Sequence, residues 1–209
     1  MATKTDSIAK PQENKTQENK IQENKIQGKK RFRTADITYI GVAVALIAVC
    51  SWISIPTTIP FTLQTFAVML TVLLLGGMRG TIAIIVYILL GAAGVPVFSG
   101  FTGGIAKLMG PTGGFIAGFL GTALVMWAFE KFLGKKLWVH ITAIVLGLAV
   151  CYAFGTLWFM KIYTADDGSK ATLAMALSAC VIPYLIPEVI KIVLALTLGT
   201  NKAIRNVIQ

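Results

Sequence analysis

Apolar residues in this chain come in long uninterrupted runs, and the first of them begins only at Ile37. The runs cover about 37–55, 61–76, 80–94, 114–130, 137–159 and 172–199. They are too long for barrel strands, and in lipid only helices and closed barrels satisfy their own backbone groups. The pattern therefore predicts an all-α integral membrane protein of six transmembrane helices. A chain of 209 residues has room for that number of spans at about 20 residues each. Between the third and fourth runs lies a connection rich in Gly, Pro, Thr and Ser, ending in Gly110-Pro111-Thr112-Gly113-Gly114. Ordered connections of this length commonly cover a site, so this one is read as an extracellular lid.

Composition sharpens the picture without changing it. Apolar residues make up 56% of the chain, as expected for a membrane protein rather than a soluble domain. With a long polar segment ahead of Ile37, no cleavable signal peptide is expected. Residues 1–34 form a separate segment with a QENKT-QENKI-QENKI repeat over 12–26, and 35–209 form the membrane domain. So few apolar groups cannot build a core, and the repeat segment is expected to be disordered. The three cysteines, Cys50, Cys151 and Cys180, sit inside apolar runs and read as reduced packing residues.

The net charge of +10 suggests nucleic acid until its placement is considered. Lys29, Lys30, Arg31 and Arg33 stand just before the first run, where a positive-inside signal and contact with anionic lipid are expected. Arg79, Lys131, Lys135, Lys136, Lys202 and Arg205 fall on the same side, against Lys107, Lys161 and Lys170 with Asp166 and Asp167 on the other. This bias predicts a multi-pass membrane protein with both termini in the cytoplasm and leaves no role for nucleic acid. Trp52 and Trp158 then fall near the outer interface, Trp127 and Trp138 near the inner one. His140, beside Trp138, reads as interfacial.

Candidate chemistry is sparse and therefore informative. Glu188 and Lys191 are the only charges well inside a predicted span. Buried ionisable groups in a membrane are costly and mark a binding site or pathway by default. Their i, i+3 spacing also permits a structural ion pair, and both readings stand at this point. Pro183 and Pro187 just ahead predict a kink or break in the sixth span. At 1.5 Å per residue, Glu188 lies about 16 Å from the helix end near Gly199, close to the midplane. Gln64 is either a ligand contact or an interhelical bridge, and Tyr87 either a pocket wall or packing. Gly100, Gly103, Gly104, Gly110, Gly113 and Gly114 permit close backbone approach in the lid. Gly41 and Ala45 form a small-xxx-small pair on the first span, suited to helix packing within the chain or to a partner.

Some chemistry is excluded. Gly134-Lys135 is followed by Lys136, so there is no phosphate-binding GxxxxGK[ST] loop for ATP. No HExxH motif, carboxylate cluster or Ser/His/Asp set appears, and the chain is not expected to be an enzyme or to hold a metal or cofactor.

The run Ile59-Pro60-Phe61-Thr62-Leu63-Gln64-Thr65, the segment Leu89–Phe98 and Gly110–Gly114 resemble the BioY family, the biotin-binding S components of energy-coupling-factor (ECF) vitamin importers. The resemblance covers about 37–200. It implies high-affinity capture of biotin near the outer face, with a separate transmembrane coupling protein and two ATPase subunits supplying energy. It further implies that Gly41, Ala45 and Ala48 serve docking of that coupling protein. Lys191 matches the lysine of the family's Pro-Gly-Asp-x-x-Lys motif and Glu188 replaces its Asp, while Pro187 falls where the family has Gly. In the lid, Thr102 stands where many members carry Arg within Gly-Gly-Arg-Gly-Gly, which leaves Lys191 as the main expected partner of the biotin carboxylate, with Lys107 a remote second. The implied binding set is Gln64, Tyr87, Phe98, Thr102, Gly103, Gly110, Pro111, Thr112, Gly113, Glu188 and Lys191. An S component for a different vitamin and a stand-alone biotin transporter are the alternatives.

Overall fold

The computed structural model describes residues 34–57, 59–164, 171–201, 203 and 204. The repeat segment, the Lys/Arg cluster before the first run, and Asp166, Asp167, Lys170, Lys202 and Arg205 lie outside the described residues.

Helix α1 (Thr34–Trp52) ends earlier than the first apolar run because Ile55 precedes Pro56, which disfavours helical backbone. The chain instead forms a two-stranded antiparallel hairpin, β1 (Ser54–Ile55) and β2 (Phe61–Thr62), with Ser54 opposite Thr62. Helices α2 (Gln64–Leu75) and α3 (Gly77–Ala92) follow, separated by Gly76 alone. Gly76 has φ +81°, a conformation that costs a side-chain-bearing residue, and this allows one residue to reverse the chain.

The connection after α3 is ordered and carries a short helix, α4 (Ile105–Met109). Phe98 and Thr102 pair across a tight reversal in which Phe101 has φ +56° and stacks on Trp52 at 4.9 Å. The Trp52 indole donates to Pro96 O (2.9 Å) and the Trp158 indole to Gly110 O (3.0 Å), so helices on both sides hold this segment.

Helices α5 (Gly113–Leu133) and α6 (Leu137–Ile162) form the closest pair. Glycines on each helix face large or branched groups on the other: Gly118 meets Cys151, Gly147 meets Thr122, Gly155 meets Phe115 and Gly114 meets Trp158. A Cβ on Gly118 would stand 2.9 Å from the Cys151 Cα, so the two backbones are nearly in contact.

The last apolar run breaks, as its prolines predict. It folds as α7 (Leu173–Cys180), a 3-10 turn (Ile182–Tyr184) holding Pro183, and α8 (Leu185–Gly199) with Pro187 in its first turn, where a missing N–H costs nothing. Helix α8 is amphipathic in the sense opposite to a soluble helix. Glu188, Lys191, Ala195 and Gly199 face inward, while Ile186, Val189, Ile190 and Val193 are more than half exposed. Apolar groups outside and charges inside are what a lipid solvent selects.

Among the described residues, four stretches are long and apolar enough to cross a membrane: Thr34–Trp52, Gly113–Leu133, Leu137–Ile162 and Leu173–Gly199. Helices α2 and α3 are apolar but shorter, at 12 and 16 residues. At 1.5 Å per residue α2 is about 18 Å long, against a hydrocarbon thickness of about 30 Å.

Candidate binding site

The first turn of α8 carries the site's carboxylate. Glu188 sits where unpaired N–H groups and the helix dipole favour negative charge. One turn further, Lys191 projects on the same face, and its Nζ lies 2.7 Å from Glu188 Oε1. Both are about 95% buried, at 5% and 4% exposure.

Helix α2 completes the pair. The Thr65 hydroxyl donates to Glu188 Oε1 (2.8 Å) and accepts from Lys191 Nζ (3.0 Å), closing a three-membered ring of polar groups. The Lys191 ammonium also stands 4.3 Å from the centre of the Phe61 ring, a favourable site for a desolvated cation. Glu188 Oε1 therefore has two donors, whereas Glu188 Oε2, also buried, has no partner at hydrogen-bond distance among the described residues, the Tyr152 hydroxyl of α6 being a polar neighbour of the carboxylate. A buried carboxylate oxygen without a donor is costly.

That carboxylate borders a cavity of about 610 Å³ of empty space including its open mouth. Gln64, Thr65, Glu188 and Lys191 form its polar wall. Phe115, Ile116 and Phe119 of α5, Cys151 and Tyr152 of α6, and Cys180 of α7 form the apolar one, with Ser99 and Thr112 contributed by the connection. Tyr184 closes one side, its ring stacked on Phe61 at 5.9 Å and its hydroxyl donating to Ile59 O. The cavity suits a largely apolar molecule bearing a few N–H donors at one end.

Of the residues singled out in the sequence, Gln64, Thr112, Glu188 and Lys191 line the cavity. Tyr87 and Phe98 lie behind the wall. Tyr87 is fully buried, takes a hydrogen bond from Gln64 Nε2 (2.7 Å) and donates to Val97 O (2.9 Å), and Phe98 packs edge-on against it at 5.6 Å. Thr102 donates to Ser99 O (2.9 Å) and holds the reversal that presents Ser99. Gly103 passes so close to Val95 O that any Cβ would overlap it, and Gly113 stands likewise against Leu108 O. Gly110 supplies the carbonyl bound by Trp158, with Pro111 between it and Thr112. On α1, Gly41 and Ala45 are exposed with open space beside Gly41, while Ala48 is buried.

Sequence reasoning passed over Thr65, Phe61, Ser99, Tyr152 and Tyr184. Thr65 and Tyr184 left a trace: one is a hydroxyl beside Gln64 at the start of an apolar run, the other an aromatic hydroxyl between two prolines. Of the others, Tyr152 depends on helix phase, which a helix apolar on every side does not reveal, while Phe61 and Ser99 lie in the hairpin and the connection, where no periodicity marks them.

The comparisons agree with this architecture. The profile of the BioY family matches residues 22–208, reaching into the repeat segment. The chain is 39% identical to the "Biotin transporter BioY" of Thermotoga maritima, over 74% of this chain and 88% of that one. It is 41% identical to the "Biotin transporter BioY2" of Lactococcus lactis subsp. cremoris, over 78% and 87%. Among solved structures it resembles the S-component for biotin from an ECF-type ABC transporter, with TM-score 0.69 and 24% identity over 82% of this chain and 89% of that one. On the extent of these matches, the chain belongs to the BioY family.

Proposed function

We propose that this protein captures biotin in the membrane as the S component of an ECF-type importer. It is a transport protein and not an enzyme. The observation that carries the reading is the buried Glu188 Oε2, which has no hydrogen-bond partner among the described residues, on an apolar-walled cavity that Gln64 also lines, in a chain whose relatives are named biotin transporters.

The short Lys191–Glu188 distance supports one orientation of the ligand. Two groups 2.7 Å apart meet the same end of an extended molecule, whereas biotin carries its ureido ring and its carboxylate at opposite ends of a valeryl chain. Glu188 then accepts a ureido N–H, and Lys191 donates its remaining proton to the ureido carbonyl. The carboxylate points along the cavity toward Ser99 and Thr112, with the thioether ring against Phe115, Phe119 and Tyr152. This differs from the assignment of Lys191 to the carboxylate that the family motif suggests. It also gives Thr102 no direct ligand contact; Thr102 acts through Ser99.

In the same reading α2 and α3 complete a six-helix membrane domain and the connection holding α4 is the extracellular lid. Both termini are cytoplasmic, with residues 1–34 a basic tail. Gly41 and Ala45 present the open face for a coupling protein, itself driven by two ATPase subunits.

Uptake of labelled biotin, and of its carboxamide, by biotin-auxotrophic cells expressing the chain with and without ATPase subunits tests the proposal. Biotin uptake that needs the ATPases, with the carboxamide competing nearly as well as biotin, is expected. Strong competition lost on blocking the carboxylate would return Lys191 to that group. Absence of uptake and binding would remove biotin as the ligand.

A further inference from the structure

Behind the cavity wall runs a chain of hydrogen bonds with one consistent placement of protons. The Tyr87 oxygen lies 2.9 Å from Val97 O and 2.7 Å from the terminal amide of Gln64. A backbone carbonyl only accepts, so the single phenolic proton goes to Val97. The same carbonyl is within 2.6 Å of the Ser51 hydroxyl, whose alternative acceptor is Ala48 O at 2.7 Å. Tyr87 thus meets Gln64 with a lone pair, and only the amide NH₂ can face a lone pair favourably. The Gln64 oxygen is left as the end with no partner among the described residues, on a side chain that lines the cavity.

We infer that Tyr87 is a specificity-determining residue that never touches the ligand: by holding the Gln64 amide in one orientation, it makes Gln64 an obligate acceptor. The cavity then offers two vacant acceptors, Gln64 on α2 and Glu188 Oε2 on α8, to the two N–H groups of one ring. Tyr87 is fully buried and fixed edge-on by Phe98, so the orientation is set before the ligand arrives. Without the phenol oxygen the amide is free to rotate and to present NH₂ to the cavity instead. This inference rests on the biotin reading and adds to it the origin of selectivity for a ring with donors on both sides.

The test compares biotin with its two carbamate analogues, in each of which one ureido N–H is replaced by oxygen. Titrations use the full-length protein and its Tyr87→Phe variant. In the wild type each analogue is expected to bind at least about tenfold more weakly than biotin, because a buried acceptor loses its donor. In Tyr87→Phe, biotin binding weakens, while the penalty for one of the analogues falls to about twofold or less, since the freed amide now donates to the ring oxygen. A merely structural role would weaken all ligands together and leave the ratios unchanged, and that result overturns the inference. Should Tyr87→Phe not fold, Gln64→Met serves in its place. It should abolish the penalty for that same analogue alone, and retention of both penalties overturns the inference equally. If the wild type binds neither biotin nor its analogues, the biotin reading itself has failed, which the comparison of ratios cannot mimic.

Discussion

The α5–α6 pair and the α2–α8 pair are both helix contacts inside one membrane domain, built on opposite plans. In the first, glycines bring backbones together and leave no room: Gly118, Gly147 and Gly155 each face a larger group across the seam. In the second, the contact is spaced by Thr65, Glu188 and Lys191, and a cavity opens beside it. In lipid the first plan stabilises through dispersion and close packing. The second is costly in the same solvent, because its charges must be paired and every lone pair satisfied. On the proposed function, a ligand completes what the oxygen at Glu188 leaves open.

The largest effects are expected at the ion pair. Lys191→Ala strands a buried carboxylate, for which a loss of about 3–5 kcal/mol is expected. It should appear both as a lower thermal transition in detergent and as loss of biotin binding. Replacing both partners, Glu188→Leu with Lys191→Met, removes the charges together. The double variant should melt within a few degrees of the wild type, as buried pairs exchanged for apolar groups often do, and still bind no biotin. Stability and binding therefore separate at this contact.

At the packed seam they should not. Gly155→Leu drives a side chain into Phe115, and overpacking of this kind costs about 1–3 kcal/mol or more. The variant's folded yield and melting temperature should fall, and biotin binding should fall with them, because the displaced Phe115 ring lines the cavity. A finer probe is Thr65→Val, which keeps the shape and removes the hydroxyl that joins the pair. Binding should weaken by about tenfold, with a small change in melting. Smallest of all is Gly41→Leu, on a face with nothing within 4 Å. Melting and biotin affinity should be unchanged, while co-purification with a coupling protein should drop if that face is the docking surface.

The two regions were not equally legible in the sequence. Helices α5 and α6 lie where their apolar runs are, because each run is long, uninterrupted and bounded by Lys and Gly. The break in the last run was legible from Pro183 and Pro187, and the burial of Glu188 and Lys191 from the absence of any other charge in the run. Helix α1 stops short of its run because Pro56 and Pro60 favour a hairpin that hydropathy does not register. The helix α4 inside the glycine-rich connection was hidden as well; five residues give no periodic signal. Thr65 and Tyr184 escaped notice because their importance is a matter of which neighbours they meet, and a run apolar on all sides carries no phase from which to infer that.

On the proposed function, the buried pair holds biotin rather than the fold. Calorimetric titration of the detergent-purified wild type and of the Glu188→Leu/Lys191→Met variant, with thiamine and riboflavin as controls, distinguishes the two roles. One-to-one binding of biotin alone is expected for the wild type, and no binding for a variant that melts at nearly the same temperature. Wild-type affinity in the double variant, or a folded wild type that ignores biotin, would refute that role.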